Sequence, residues 1–244
     1  MLVLDGRELI EEGVGFGLPV VKYDDKTYFS SAAQTWLQAD SDPPTLVKTF
    51  SFDTISRKRF GKDSYVNDRF YASVHRFFEK AYLTRNEMAP AFNAIMELRK
   101  AMKIETDFVR VPSRGKVKVK YTCFPDLLRV QVDFSELHKE GCREILVMNE
   151  QGSNFFTKYT DSNGLLLIGR RIGPWQKVKA TKASLSDRKD TLSFTLENLD
   201  SADLFRGWER TKGRFSWAGL GYSLSPTISG LGYNIGLSAK AAGA

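Results

Sequence analysis

The sequence predicts a mainly β protein: one large antiparallel β-sandwich-like domain over residues 1–244, with an α-helical hairpin inserted at about 64–103. Three observations predict it. From residue 105 onward, apolar and polar residues alternate with a period of two, which puts apolar side chains on one sheet face and polar ones on the other. Turn signals (Asn163-Gly164, Gly173-Pro174, Asp187-Arg188) divide this region into short segments, the pattern of a sandwich or barrel. Between 64 and 103 the apolar period changes to three or four, which is one face of a helix. The alternative is a small α+β unit followed by a separate β domain from about residue 105.

Taken in order, Val20 to Tyr23 and Thr27 to Phe29 flank the Asp24-Asp25-Lys26 turn and predict a hairpin. Asp40 to Pro44 is a loop, and Leu46 to Phe52 alternates as a strand. Arg57-Lys58-Arg59 is a short basic cluster before Gly61. Val66, Phe70, Val74, Phe77, Phe78, Ala81 and Tyr82 make the stripe of a first helix, with Ser64 as its cap. Pro90 suits the first turn of a second helix, continued by Phe92, Ile95, Met96, Leu98 and Met102.

The strands that follow are Lys116–Tyr121, Leu128–Phe134, Glu144–Met148, Phe155–Tyr159, Leu165–Ile168, Gln176–Ala180, Thr191–Leu196 and Arg214–Leu224. The continuous apolar run Ile145–Met148 reads as a strand buried on both faces. Gly219-Leu220-Gly221-Tyr222 recurs loosely as Gly230-Leu231-Gly232-Tyr233, and the two stretches are expected to pair as a hairpin.

Composition narrows the function classes. With 42% apolar residues the chain can bury a core. The net charge of +7 permits an anionic partner without demanding one. Two cysteines, Cys123 and Cys142, exclude a disulfide-dense scaffold. No apolar run approaches the roughly 20 residues of a spanning helix, and the opening MLVLDGRELIEEG does not resemble a signal peptide, so the expectation is a soluble, cytoplasmic protein.

Few motifs carry chemistry. Gly13, Gly15 and Gly17 are followed by a strand, whereas a phosphate loop opens a helix, so they mark backbone with positive φ or a close approach. Cys123, His138, Cys142 and His75 lack the paired spacing of a zinc site, and no cofactor or metal is expected. Asn149, Glu150, Gln151 and Asn154 follow the most apolar strand, where rigid scaffolds display binding groups. Glu150 is a candidate general acid or base, with Asp133 and Glu136 as further carboxylates.

Aromatic residues hint at the ligand. Trp175, Trp208 and Trp217 cluster late in the chain and Trp36 lies near the first loop. An indole offers a flat apolar face that suits a sugar ring or an unstacked base. Trp175, beside Gly173-Pro174, and Trp208 are the candidate ligand contacts. The lysines at 116, 118 and 120 share one face, either solvated or anion-binding, and Arg170 to Lys182 is a second basic stretch.

Three functions follow as expectations: a carbohydrate-binding or carbohydrate-processing β-sandwich, a nucleic-acid-binding protein using basic strands and aromatics, or a homo-oligomeric assembly module. Their partners would be an oligosaccharide, a nucleic acid or a second copy of the chain.

Overall fold

The computed structural model describes residues 3–4, 7–8, 15–24, 26–60, 64–65, 73–74, 77, 81, 89–152, 156–210 and 216–239. Along the chain run β1 (Val3–Leu4), β2 (Arg7–Glu8), β3 (Gly15–Tyr23), β4 (Thr27–Gln38), β5 (Thr45–Phe60) and β6 (Ser64–Tyr65). Helix α1 (Ala89–Ala101) precedes β7 (Ile104–Arg110), β8 (Lys116–Cys123), β9 (Leu127–Asp133), β10 (Cys142–Gly152), β11 (Phe156–Asp161) and β12 (Leu166–Ile168). A 3-10 turn (Gly169–Ile172) leads to β13 (Gln176–Lys177), β14 (Lys182–Asp187), β15 (Leu192–Glu197), β16 (Asp203–Arg210), β17 (Ser216–Leu224) and β18 (Gly230–Ala239).

Apart from the β1–β2 pair, the strands form one antiparallel sheet of 16 in the order β12-β11-β14-β15-β18-β9-β8-β5-β4-β3-β10-β17-β16-β13, with β6 and β7 also pairing with β5. The mainly β, antiparallel architecture with a small helical part is as the periodicity predicts. Alternation explains it locally: in β8 the three lysines are exposed while Val117, Val119 and Tyr121 are buried, and in β9 Leu128, Val130 and Val132 are buried between exposed polar residues.

Strands far apart in the sheet order meet through their apolar faces, so the sheet folds over into two facing layers. The Phe16 ring of β3 lies 5.0 Å from that of Phe194 on β15. The Tyr121 hydroxyl of β8 donates to the Phe16 carbonyl at 2.8 Å. Tyr222 of β17 packs edge-on against Tyr233 of β18, with centroids 4.9 Å apart. The segment after β12 joins the two ends of the sheet. The Trp208 amide donates to Gly173 O at 2.8 Å, Arg206 donates to Ile172 O, and the Arg206 guanidinium lies 4.8 Å from the centre of the Tyr159 ring on β11.

The predicted C-terminal hairpin does not form. The two Gly-Leu-Gly-Tyr stretches lie in β17 and β18, but β17 pairs with β10 and β16, whereas β18 pairs with β9 and β15. The chain crosses between layers at 225–229, and the repeated tyrosines face each other across the core. Alternation assigns an inward face but not the neighbour, so both pairings satisfy the same pattern.

Three further strands lack a clear sequence signal: β7, β14 with its two serines, and β16. Helix α1 matches the second arm of the predicted hairpin, with Pro90 in its first turn where the missing N–H has no intrahelical partner to lose. Of the first arm, Ser73, Val74, Phe77 and Ala81 are helical. Ser64, expected to cap that helix, instead lies in β6 opposite Phe60, so the chain is still extended at that point, and the remainder of the arm lies outside the described residues. No helix among the described residues is long and apolar enough to cross a membrane.

Candidate functional site: a polar sheet face with an exposed tryptophan

Five adjacent strands, β4-β5-β8-β9-β18, align their outward side chains in cross-strand rows. The middle row runs Trp36, Val47, Lys120, Gln131, Gly232. One flanking row runs Gln38, Thr45, Thr122, Arg129, Asn234, and the other Gln34, Thr49, Lys118, Asp133, Gly230. Register sets these rows, since direct partners in an antiparallel pair point to the same face. With strands about 4.8 Å apart, each row extends about 19 Å.

Trp36 is 59% exposed at one end of the middle row. Its neighbours on the face are the exposed amides Gln34 and Gln38 and the half-buried Val47 and Thr49, while Thr45 is buried with its hydroxyl donated to Pro43 O. At the far end a Cβ added to Gly232 would meet nothing within 4 Å, which leaves the floor low and open.

Charge on this face is partly used internally. Lys118 Nζ lies 2.6 Å from Glu136 Oε1, a contact that holds the ammonium above its usual range. The Ser135 backbone N–H donates to Asp133 Oδ1 at 2.8 Å and holds that carboxyl below the usual carboxylate range. Lys116, Lys120 and Arg129 have no carboxylate partner among the described residues, and Arg129 stacks 5.3 Å from the Phe124 ring centre.

The residues singled out from sequence fall elsewhere. Asn149 is fully buried on β10, where its Oδ1 accepts from the Gly17 amide at 3.0 Å and the Tyr233 hydroxyl at 2.9 Å. Gly17 has φ +71°, and a Cβ there would lie 3.0 Å from Val130 Cγ1 and 3.3 Å from the Tyr121 hydroxyl, so this glycine meets both conditions read from the sequence. Trp208 is 8% exposed, a core residue. Trp175 is half-buried, and a Cβ on Gly207 would overlap its indole, so the ring lies flat on bare backbone.

Glu150 and Gln151 sit at the end of β10, opposite Gly219 and Ala218 of β17. Asn154 lies outside the described residues, as does His75. Asp133 ends β9, between β8 and β18, whereas Glu150 lies between β3 and β17, so no strand pairing brings the two carboxylates together. Cys123 and Cys142 are free thiols, and burial pushes both up. In the second basic stretch Lys177 pairs with Asp203 of β16.

Gln34, Gln38, Arg129, Gln131 and Asn234 were not singled out in the sequence. Their alternation was legible, but a sheet face becomes a surface only when strands distant in sequence are placed side by side.

No family model matches the chain, and no curated protein matches it. Among solved structures the chain is similar to the Slr1438 protein from Synechocystis sp. PCC 6803, at 9% identity over 94% of this chain and 77% of that one, with a TM-score of 0.32. That likeness is too slight for fold or function to be taken from it.

Proposed function

We propose that the outer face of β4-β5-β8-β9-β18 binds an oligosaccharide. The observation that carries this reading is the exposed indole of Trp36 in register with Val47, Lys120, Gln131 and Gly232. A sugar ring has an apolar C–H face and a rim of hydroxyls that both donate and accept. An exposed indole complements the first. Side-chain amides, which carry donors and an acceptor together, complement the second. The row is long enough for several linked rings rather than one. Binding rather than turnover is proposed, because the two candidate catalytic carboxylates lie on strands that do not pair.

The test is titration of the full chain with neutral and acidic oligosaccharides, followed by calorimetry, beside Trp36→Ala. Saturable binding that Trp36→Ala abolishes while its circular dichroism is unchanged supports the reading. Binding that survives Trp36→Ala removes this face as the site.

A second reading, assembly with another copy, has its own observation. Beyond Phe29 no described strand pairs with β4 on the side away from β5, and Leu37, on the face opposite Trp36, is 61% exposed. An open apolar edge is a template for strand addition. Sedimentation of the chain and of Thr35→Pro across a wide concentration range tests it: a concentration-dependent dimer that Thr35→Pro dissociates favours assembly, and a monomer throughout excludes it.

A further inference from the structure

We infer that the oligosaccharide taken by this face is acidic, with a carboxylate of the sugar seated between Lys120 and Arg129. The inference rests on the oligosaccharide reading of the same face. Lys120 stands opposite Gln131 and Arg129 opposite Thr122, so the two cations are diagonal neighbours on adjacent strands. Diagonal positions lie about 7–8 Å apart at the backbone, within reach for two long side chains converging on one anion. Neither cation has a carboxylate partner among the described residues: Asp133 accepts from the Ser135 amide, Glu136 pairs with Lys118, and Arg129 lies 5.3 Å from the centre of the Phe124 ring. Within the three rows, Lys118, Lys120 and Arg129 accompany one carboxylate, Asp133, an excess that favours an anion without the dense basic track of a nucleic-acid groove.

Spacing also places the parts. Trp36 on β4 and Lys120 on β8 are separated by two strand intervals, about 10 Å. One ring stacked on the indole therefore leaves a later unit of the same chain over the Lys120–Arg129 pair. Gln131 and Asn234 flank that position and offer amides to its hydroxyls.

The experiment compares oligogalacturonate with its fully methyl-esterified form, two ligands of one backbone in which each carboxylate is exchanged for a neutral methyl ester. It is run on the full chain and on Lys120→Gln/Arg129→Gln at about 50 mM and about 500 mM salt, with single-stranded oligonucleotide of matched charge as comparator. Both substitutions are at exposed sites, and circular dichroism checks that the fold is kept. The acid form is expected to bind about fivefold or more tightly than the ester at low salt, as partly exposed ion pairs allow. That preference should shrink at high salt and vanish in the double variant. Equal affinity for acid and ester overturns the inference and leaves the oligosaccharide reading standing. Binding of neither sugar, by a chain that also ignores glucuronate and mannuronate oligomers, overturns both. Tighter binding of the oligonucleotide than of the uronate overturns the inference and assigns the face to nucleic acid.

Discussion

Asn149 Oδ1 accepts a hydrogen bond from the Tyr233 hydroxyl at 2.9 Å, tying β10 in one layer to β18 in the other through a fully buried contact. The same oxygen accepts from the Gly17 amide of β3. One side chain therefore satisfies donors from two other strands inside an otherwise apolar core. Burial pushes the Tyr233 hydroxyl well above its usual pKa, so it stays a neutral donor.

Asn149→Leu removes the acceptor and strands two buried donors. The expected loss is about 2–6 kcal/mol, at about 1–3 kcal/mol per unsatisfied group. Tyr233→Phe alone costs about 1 kcal/mol, because Oδ1 keeps the Gly17 amide. The double variant should lose less than the sum. Urea unfolding with unchanged m-values measures this, and additive losses would show that the two residues do not act through the bond.

Gly207→Ala drives a methyl group into the Trp175 indole. Displacing the ring costs about 1–3 kcal/mol. Trp175→Ala introduced beside it removes the clash, so the double variant should be no less stable than Trp175→Ala alone. Thermal unfolding of the three variants distinguishes this contact from a general intolerance at position 207.

The tryptophans should separate by burial. Trp208→Ala, in the core, is expected to lose about 3–5 kcal/mol. Trp36→Ala, exposed at the end of its row, should stay within about 0.5 kcal/mol of the parent. A large loss from Trp36→Ala in denaturant titration would give that indole a structural role and weaken its assignment to a ligand.

Asp133 links stability to pH. The Ser135 amide holds its carboxyl below the usual range, so the folded state takes up the proton less readily than the unfolded chain. The stabilisation is fully present above the unfolded carboxylate value, about 4, and is lost as pH falls through the lower folded value. Asp133→Asn should therefore be less stable than the parent at pH 7, with the gap closing below about pH 4. A gap that stays constant across that window would assign the effect to something other than this ionisation.

Lys118→Ala tests how little the surface pair contributes. Lys118 and Glu136 are each about half exposed at 2.6 Å, and solvent screens such pairs. The urea midpoint of the variant should coincide with that of the parent within the scatter of the measurement.

Much of the fold was legible in one dimension because side-chain direction along a strand depends only on parity. Lys116 to Tyr121 and Leu128 to Phe134 declared their inner and outer faces in the alternation itself, and Pro90 placed the start of α1. Pairing is a different kind of information. Nothing local to Gly219–Ser225 and Gly230–Gly236 says that they part to opposite layers, because every pairing that keeps Tyr222 and Tyr233 inward buries the same apolar surface. The candidate site depended on that undetermined quantity. Trp36, Lys120, Gln131 and Gly232 span almost 200 residues of sequence. Only the register of four successive strand pairs sets them in one row. Asn149 shows the converse, since its polar type suggested an exposed contact while the closure of the two layers made it a partner for Gly17 and Tyr233. Amphipathic period is written into each segment by its own residues. Neighbourhood is decided by the long-range packing that folds the sheet onto itself.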